Sequence, residues 1–288
     1  MKKIPVLATI REAYRFTFTH LGAIIGLIWL PMILLTVIGF FVLRRYYEAM
    51  ADALASGIYA GMGPQLLGLI CYVIAVLLLS TMMSVPVTQL ALGARKQGAL
   101  VHFAFSATEW RLFRAVMGLL GLLLLPLLVV GVAAQFLQLG AGAPPVSIAA
   151  LQLLQLVFYL ACLYFVLRFG MLLPALATSE NGPLLSRAWQ LTAGNFWRIL
   201  AVALAVVLPV GLLSAAIQVA VEGPQSLMPG MEISTAMAAA QFHQMAMQMP
   251  LASGLKFLIA PLLLGLLLGA GAAIYRALTS AEILPNTH

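Results

Sequence analysis

Residues 115–167 read AVMGLLGLLLLPLLVVGVAAQFLQLGAGAPPVSIAALQLLQLVFYLACLYFVL, a run of 53 positions without one charged side chain. An α-helix rises about 1.5 Å per residue, so one straight helix of that length would far overrun the hydrocarbon layer of a bilayer, about 30 Å thick. The stretch Gly140-Ala-Gly-Ala-Pro-Pro145 in its middle supplies helix breakers. The run therefore predicts two membrane spans folded back on each other, roughly 114–139 and 147–172.

Counting outward from that pair gives the same pattern. Charge-free runs occupy Phe16–Leu43, Ala53–Ala94, Ile199–Val221 and Phe257–Tyr275. The second contains the breaker Gly61-Met-Gly-Pro64. These runs predict further spans near 21–43, 65–92, 198–220 and 254–276, six in all. They are continuous rather than alternating, which favours helices over barrel strands. Composition agrees: 63% of residues are hydrophobic and 8% charged, against about 45–50% and about 25% in a soluble chain. The expected fold is an all-α polytopic membrane bundle, one domain over residues 1–288.

The net charge of +7 has a topological reading. Lys2, Lys3, Arg11, Arg15, Arg95, Lys96, Arg111, Arg114, Arg168, Arg187, Arg198 and Arg276 fall on one side of the threading, and only Arg44, Arg45 and Lys256 on the other. Basic residues mark the cytoplasmic side. Both termini and the 93–113 and 173–197 loops are thus expected in the cytoplasm, with 222–253 an external loop. A seventh span at 233–253 is disfavoured by Gln241, His243, Gln244 and Gln248. No basic cluster calls for nucleic acid. Arg11, Glu12 and Arg15 interrupt the start of any signal peptide, so the first span is expected to remain as an anchor. Cys71 and Cys162 lie deep in apolar runs and read as small hydrophobes rather than a disulfide.

Three segments resemble one another: 13–21, 102–110 and 188–196. Each has an aromatic residue, then Phe or Leu, then Ser or Thr, and further on His20, Glu109 or Asn195. Each precedes a pair of spans. They predict three units, about 5–92, 93–177 and 178–280, each an amphipathic helix followed by a hairpin. Such helices lie in the headgroup layer, or else simply extend the spans. In the third, Pro183 is placed to open a helix, Gly194 to end it and Asn195 to cap the next. Pro31, Pro86, Pro126, Pro174, Pro209 and Pro261 put one proline in each span, where proline either bends the helix or is ordinary membrane composition.

The stretch 180–198 resembles the membrane domain attached to some bacterial glycerophosphoryl diester phosphodiesterases, and its uncharacterised stand-alone inner-membrane relatives. The likeness rests on Glu180, Gly182, Pro183, Arg187, Trp189, Leu191, Thr192, Gly194, Asn195, Phe196 and Trp197. Segment 10–21 is weakly similar. The family's catalytic domain is soluble and binds metal through acidic residues and histidines. The 8 acidic residues of this chain, scattered between spans, leave no place for it. The resemblance implies a membrane module without diesterase activity.

Little else carries chemistry. Arg168, near the cytoplasmic end of the fourth span, is expected to snorkel to the interface or to bind a phosphate or lipid headgroup. Arg168, Arg187, Trp189, Asn195 and Trp197 are the candidate headgroup contacts. Gln89, Gln135, Gln138, Gln152 and Gln155 suit interhelical hydrogen bonds, or a polar path through the bundle. Gly22/Gly26 and Gly265/Gly269 have the spacing that lets helices pack closely. Met245, Met247, Met249 and His243 in the 222–253 loop are either a Cu(I) site or apolar filler at the outer interface. No phosphate loop, zinc spacing or serine triad is present, and no cofactor is implied. The expected role is a non-enzymatic accessory or scaffold protein whose partners are lipids and other membrane proteins. The competing role is a transporter or lipid-handling protein.

Overall fold

The structure, a computed structural model, describes residues 3–94, 105–139, 145–180, 182–222 and 235–279, with 125–139, 145–152, 217, 218 and 220–222 described by backbone alone. Eight helices and no strand occur among the described residues: α1 (Val6–Ser56), α2 (Gly63–Ala91), α3 (Ala107–Leu139), α4 (Pro145–Gly170), α5 (Leu173–Ser179), α6 (Leu184–Thr192), α7 (Phe196–Glu222) and α8 (Thr235–Thr279). Five apolar segments among the described residues are long enough to cross a membrane: α1, α2, 153–179, 196–216 and α8. The helix expected to make the remaining span, α3, is 33 residues long.

Two helices outrun their expected spans. The segment 13–21 is not a separate interfacial helix; it forms part of the first turns of the 51-residue α1. No breaker separates it from the span, and the Thr17 hydroxyl returns a hydrogen bond to Ala13 O at 2.8 Å within the same helix. α1 ends only at Gly57, whose φ of 72° is the left-handed cap that glycine adopts readily. Likewise 235–253 is not loop. It is the first half of the 45-residue α8. The glutamines and His243 that argued against a span there are polar, but polarity does not break a helix. At about 1.5 Å per residue these helices are about 77 and 68 Å long, more than twice the hydrocarbon thickness.

α1 and α8 run antiparallel along each other. At one end Glu12 meets Arg276 at 2.5 Å; at the other the Tyr47 and Phe242 rings lie 6.0 Å apart. The seam closes on small residues. A Cβ on Gly265 would strike Thr17 and Ile24, and one on Gly269 would strike Phe16. Gly22 has open space around it among the described residues.

Between α4 and α5 the chain breaks at Met171-Leu172, and Pro174 opens α5 instead of kinking a span. The break is pressed against α8: a Cβ on Gly271 would lie 2.1 Å from the Met171 carbonyl oxygen. Leu173, Pro174, Ala175, Leu176 and Ala177 are all buried. Irregular backbone near membrane depth survives where protein covers it. Pro31, Pro86, Pro209 and Pro261 lie inside continuing helices, as does Pro250. The Pro126 side chain is outside the described residues.

Candidate functional site

Polar side chains gather at the end of the bundle where α1 begins and α8 finishes. The turn before α7 holds the first residues of the chain. Ile4 N–H donates to Asn195 Oδ1 at 3.3 Å, and Arg198 Nη1 donates to Ile4 O at 2.9 Å. Gly194 makes this turn possible with φ 72°. Asn195 stands immediately before Phe196, the first residue of α7, as expected. Its side-chain oxygen accepts the Ile4 amide, which ties the stretch before α1 to the turn before α7.

Glu180, at the end of α5, is a hub. Its carboxylate accepts from Arg187 Nε at 3.1 Å and from the Tyr275 hydroxyl at 3.1 Å. Its backbone oxygen accepts from Arg111 Nη2 at 2.5 Å. One residue thus ties α3, α6 and α8 together. Glu109 is buried and caps α3: Ser106 N–H donates to Glu109 Oε2 at 2.9 Å, and the Ser106 hydroxyl bonds the same oxygen. The Ser-x-x-Glu spacing is a capping-box signal that the sequence does carry. Glu180 has no comparable local signal, because its partners lie up to 95 residues away.

Arg168 does not snorkel. It is 7% exposed and turned inward at the end of α4. Its Nε donates to Thr192 Oγ1 at 2.8 Å and its Nη2 to Trp189 O at 3.0 Å, while Nη1 bonds the Tyr164 hydroxyl. Its guanidinium carbon sits 3.4 Å from the centre of the Trp189 ring. That ring also stacks near Phe165 and Phe169, at 6.3 and 6.0 Å. Arg168 makes no salt bridge among the described residues. Its charge is balanced by carbonyl oxygen, the aromatic face and the negative end of α4.

The five expected headgroup contacts therefore separate. Arg168 and Trp189 form one stacked pair. Arg187 pairs with Glu180, and Asn195 holds Ile4. Trp197 alone points fully outward, at 77% exposure. Of the expected glutamines, Gln89 and Gln155 have described side chains, and Gln89 is half-buried in α2. Gln155 is exposed and donates to Tyr159 on its own helix, while Gln135, Gln138 and Gln152 have side chains outside the described residues. Met245, Met247 and Met249 alternate in sequence, but two helical steps turn about 200°. Met247 is exposed while Met249 is buried, so the three sulfurs do not share a face.

No family model, curated protein or solved structure matches this chain. What the polar end can do follows from its geometry. It joins helix ends from distant parts of the sequence, and Glu12, Arg111, Glu180, Arg187, Arg198 and Arg276 are engaged in doing so.

Proposed function

We propose that this chain is a six-span, non-enzymatic protein of a bacterial inner membrane, with both termini cytoplasmic, that organises lipids or other membrane proteins. The observation that carries the reading is the engagement of the polar end. Glu180, Arg187, Arg111, Arg168, Asn195 and Arg198 are tied to neighbouring helices or backbone. A catalytic or transport site needs groups aimed at an open space. The placement of Glu12 beside Arg276 supports termini on one side, and the basic residues of that end support the cytoplasmic assignment. The 33-residue α3 supplies the sixth span. The resemblance at 180–198 fits a stand-alone relative of the diesterase membrane domain, with the motif used to build the clasp around Glu180 and Arg168.

The test is extraction of the full-length tagged protein in native-lipid discs, followed by quantitative mass spectrometry and reconstitution into vesicles. A membrane protein recovered in fixed stoichiometry, whose abundance falls when this chain is deleted, is the expected result. Solute-specific counterflow in the vesicles, or hydrolysis of a glycerophosphodiester, would overturn the reading.

A further inference from the structure

Among the described residues, the middle of α4 is poorly covered by the rest of the molecule. From Leu153 to Leu163 it is exposed around almost its whole circumference, Leu153, Leu156, Val157, Leu160 and Leu163 each at 50% or more. Among its described side chains, Tyr164, Phe165, Leu167, Arg168 and Phe169 of its last turns pack against other helices. Lipid accepts the leucines. It does not accept Gln155, which lies 13 residues before Arg168 and so about 20 Å deeper along the helix.

Gln155 is exposed, and its Nε2 donates to the Tyr159 hydroxyl at 3.0 Å. An amide side chain has two N–H donors and a carbonyl acceptor. One N–H of Gln155, its Oε1 and the Tyr159 O–H are left facing hydrocarbon, where unsatisfied polar groups are expensive. Cys162 and Val166 continue the same stripe. The positions 155, 159, 162 and 166 step by 4, 3 and 4, the spacing of a helix–helix seam with a crossing angle of about 20°.

We propose that this stripe is a homodimer contact, with α4 meeting α4 of a second copy across a two-fold axis normal to the membrane. Copies inserted with the same topology present α4 in the same direction and at the same depth. Each seam residue then faces its own counterpart, as in any isologous contact. A primary amide is suited to that arrangement, since each Gln155 can donate Nε2–H to the other's Oε1. A cation or a carboxylate at the same place would repel its copy. This contact goes beyond the scaffold reading and does not depend on it, because self-association can be measured whatever the partner.

Native Cys162 supplies the reporter. Full-length protein carrying Cys71→Ser, in native membranes under mild oxidation, should give a disulfide-linked dimer through Cys162. Adding Gln155→Leu should lower the dimer yield by about tenfold, the scale of one or two interhelical hydrogen bonds. The monomer should keep its expression and Tm, since Gln155 bonds only its own helix. Leu160→Cys with both native cysteines replaced lies about 140° around the helix from Gln155 and should cross-link poorly. No Cys162 dimer, equal yield at Leu160→Cys, or a yield indifferent to Gln155→Leu would each overturn the proposal.

Discussion

At the scale of single residues, Arg168 shows what a charge at the end of a span can become. Hydropathy fixes its depth, because it ends a 53-residue uncharged run. It does not fix its rotation. That depends on Thr192 and Trp189, 24 and 21 residues away on another helix, so an inward guanidinium was not readable from its neighbours. Replacing Arg168 by Ala removes hydrogen bonds from a charged donor and a close cation–π contact. The expected loss is about 3 kcal/mol of stability, measured by denaturant or thermal unfolding in detergent. Arg168→Lys should recover little of it, since an ammonium lacks the planar face and the Nε donor. Stability equal to that of the parent in both variants would contradict the packing described. Glycines make a second contrast. Gly271→Ala drives a methyl into the Met171 carbonyl and should cost about 1–3 kcal/mol. Gly22→Ala meets nothing within 4 Å and should leave the unfolding midpoint unchanged or slightly raised.

At the scale of elements, the apolar cores of the helices were legible and their ends were not. Charge and polarity mark where a helix leaves hydrocarbon. Helix termini are set by different features: Gly57 with its left-handed backbone, the break at Met171-Leu172 and the Gly194 turn. Of these only the last was anticipated, because Pro183, Gly194 and Asn195 form a local punctuation. Gln241, His243, Gln244 and Gln248 pointed to a loop, yet 235–253 extends α8. The motif at 180–198 was legible as a motif, but its use was not, since Glu180 reaches Tyr275 and Arg111 through the fold. The helical reading of 235–253 has its own consequence. Mild peroxide should convert Met247 to its sulfoxide well before Met249, one exposed and the other packed. Equal rates at the two positions, read by peptide mass spectrometry, would restore the loop.

At the scale of the whole molecule, the distribution of basic residues and the meeting of helix ends both support the proposed threading. Twelve of the 15 basic residues fall on one side of the six-span count. The side chains of Glu12, Arg111, Glu180, Arg187, Tyr275 and Arg276 then meet across distant helices at one end of the bundle. An odd number of crossings would have separated Glu12 from Arg276. The repeat is less uniform than its sequence. The first segment lies within α1, the third runs from α6 through the Gly194 turn to the first residue of α7, and 102–104 of the second lie outside the described residues. The measurement that bears most directly on this threading is labelling of single cysteines with a membrane-impermeant maleimide in intact cells. Arg11→Cys, Gly61→Cys and Thr279→Cys would each be placed in a chain lacking Cys71 and Cys162. Gly61→Cys should react in intact cells, and the other two only after the membrane is opened. Arg11→Cys and Thr279→Cys reacting from opposite faces would contradict an even number of spans and the contact between Glu12 and Arg276 on which the bundle is built.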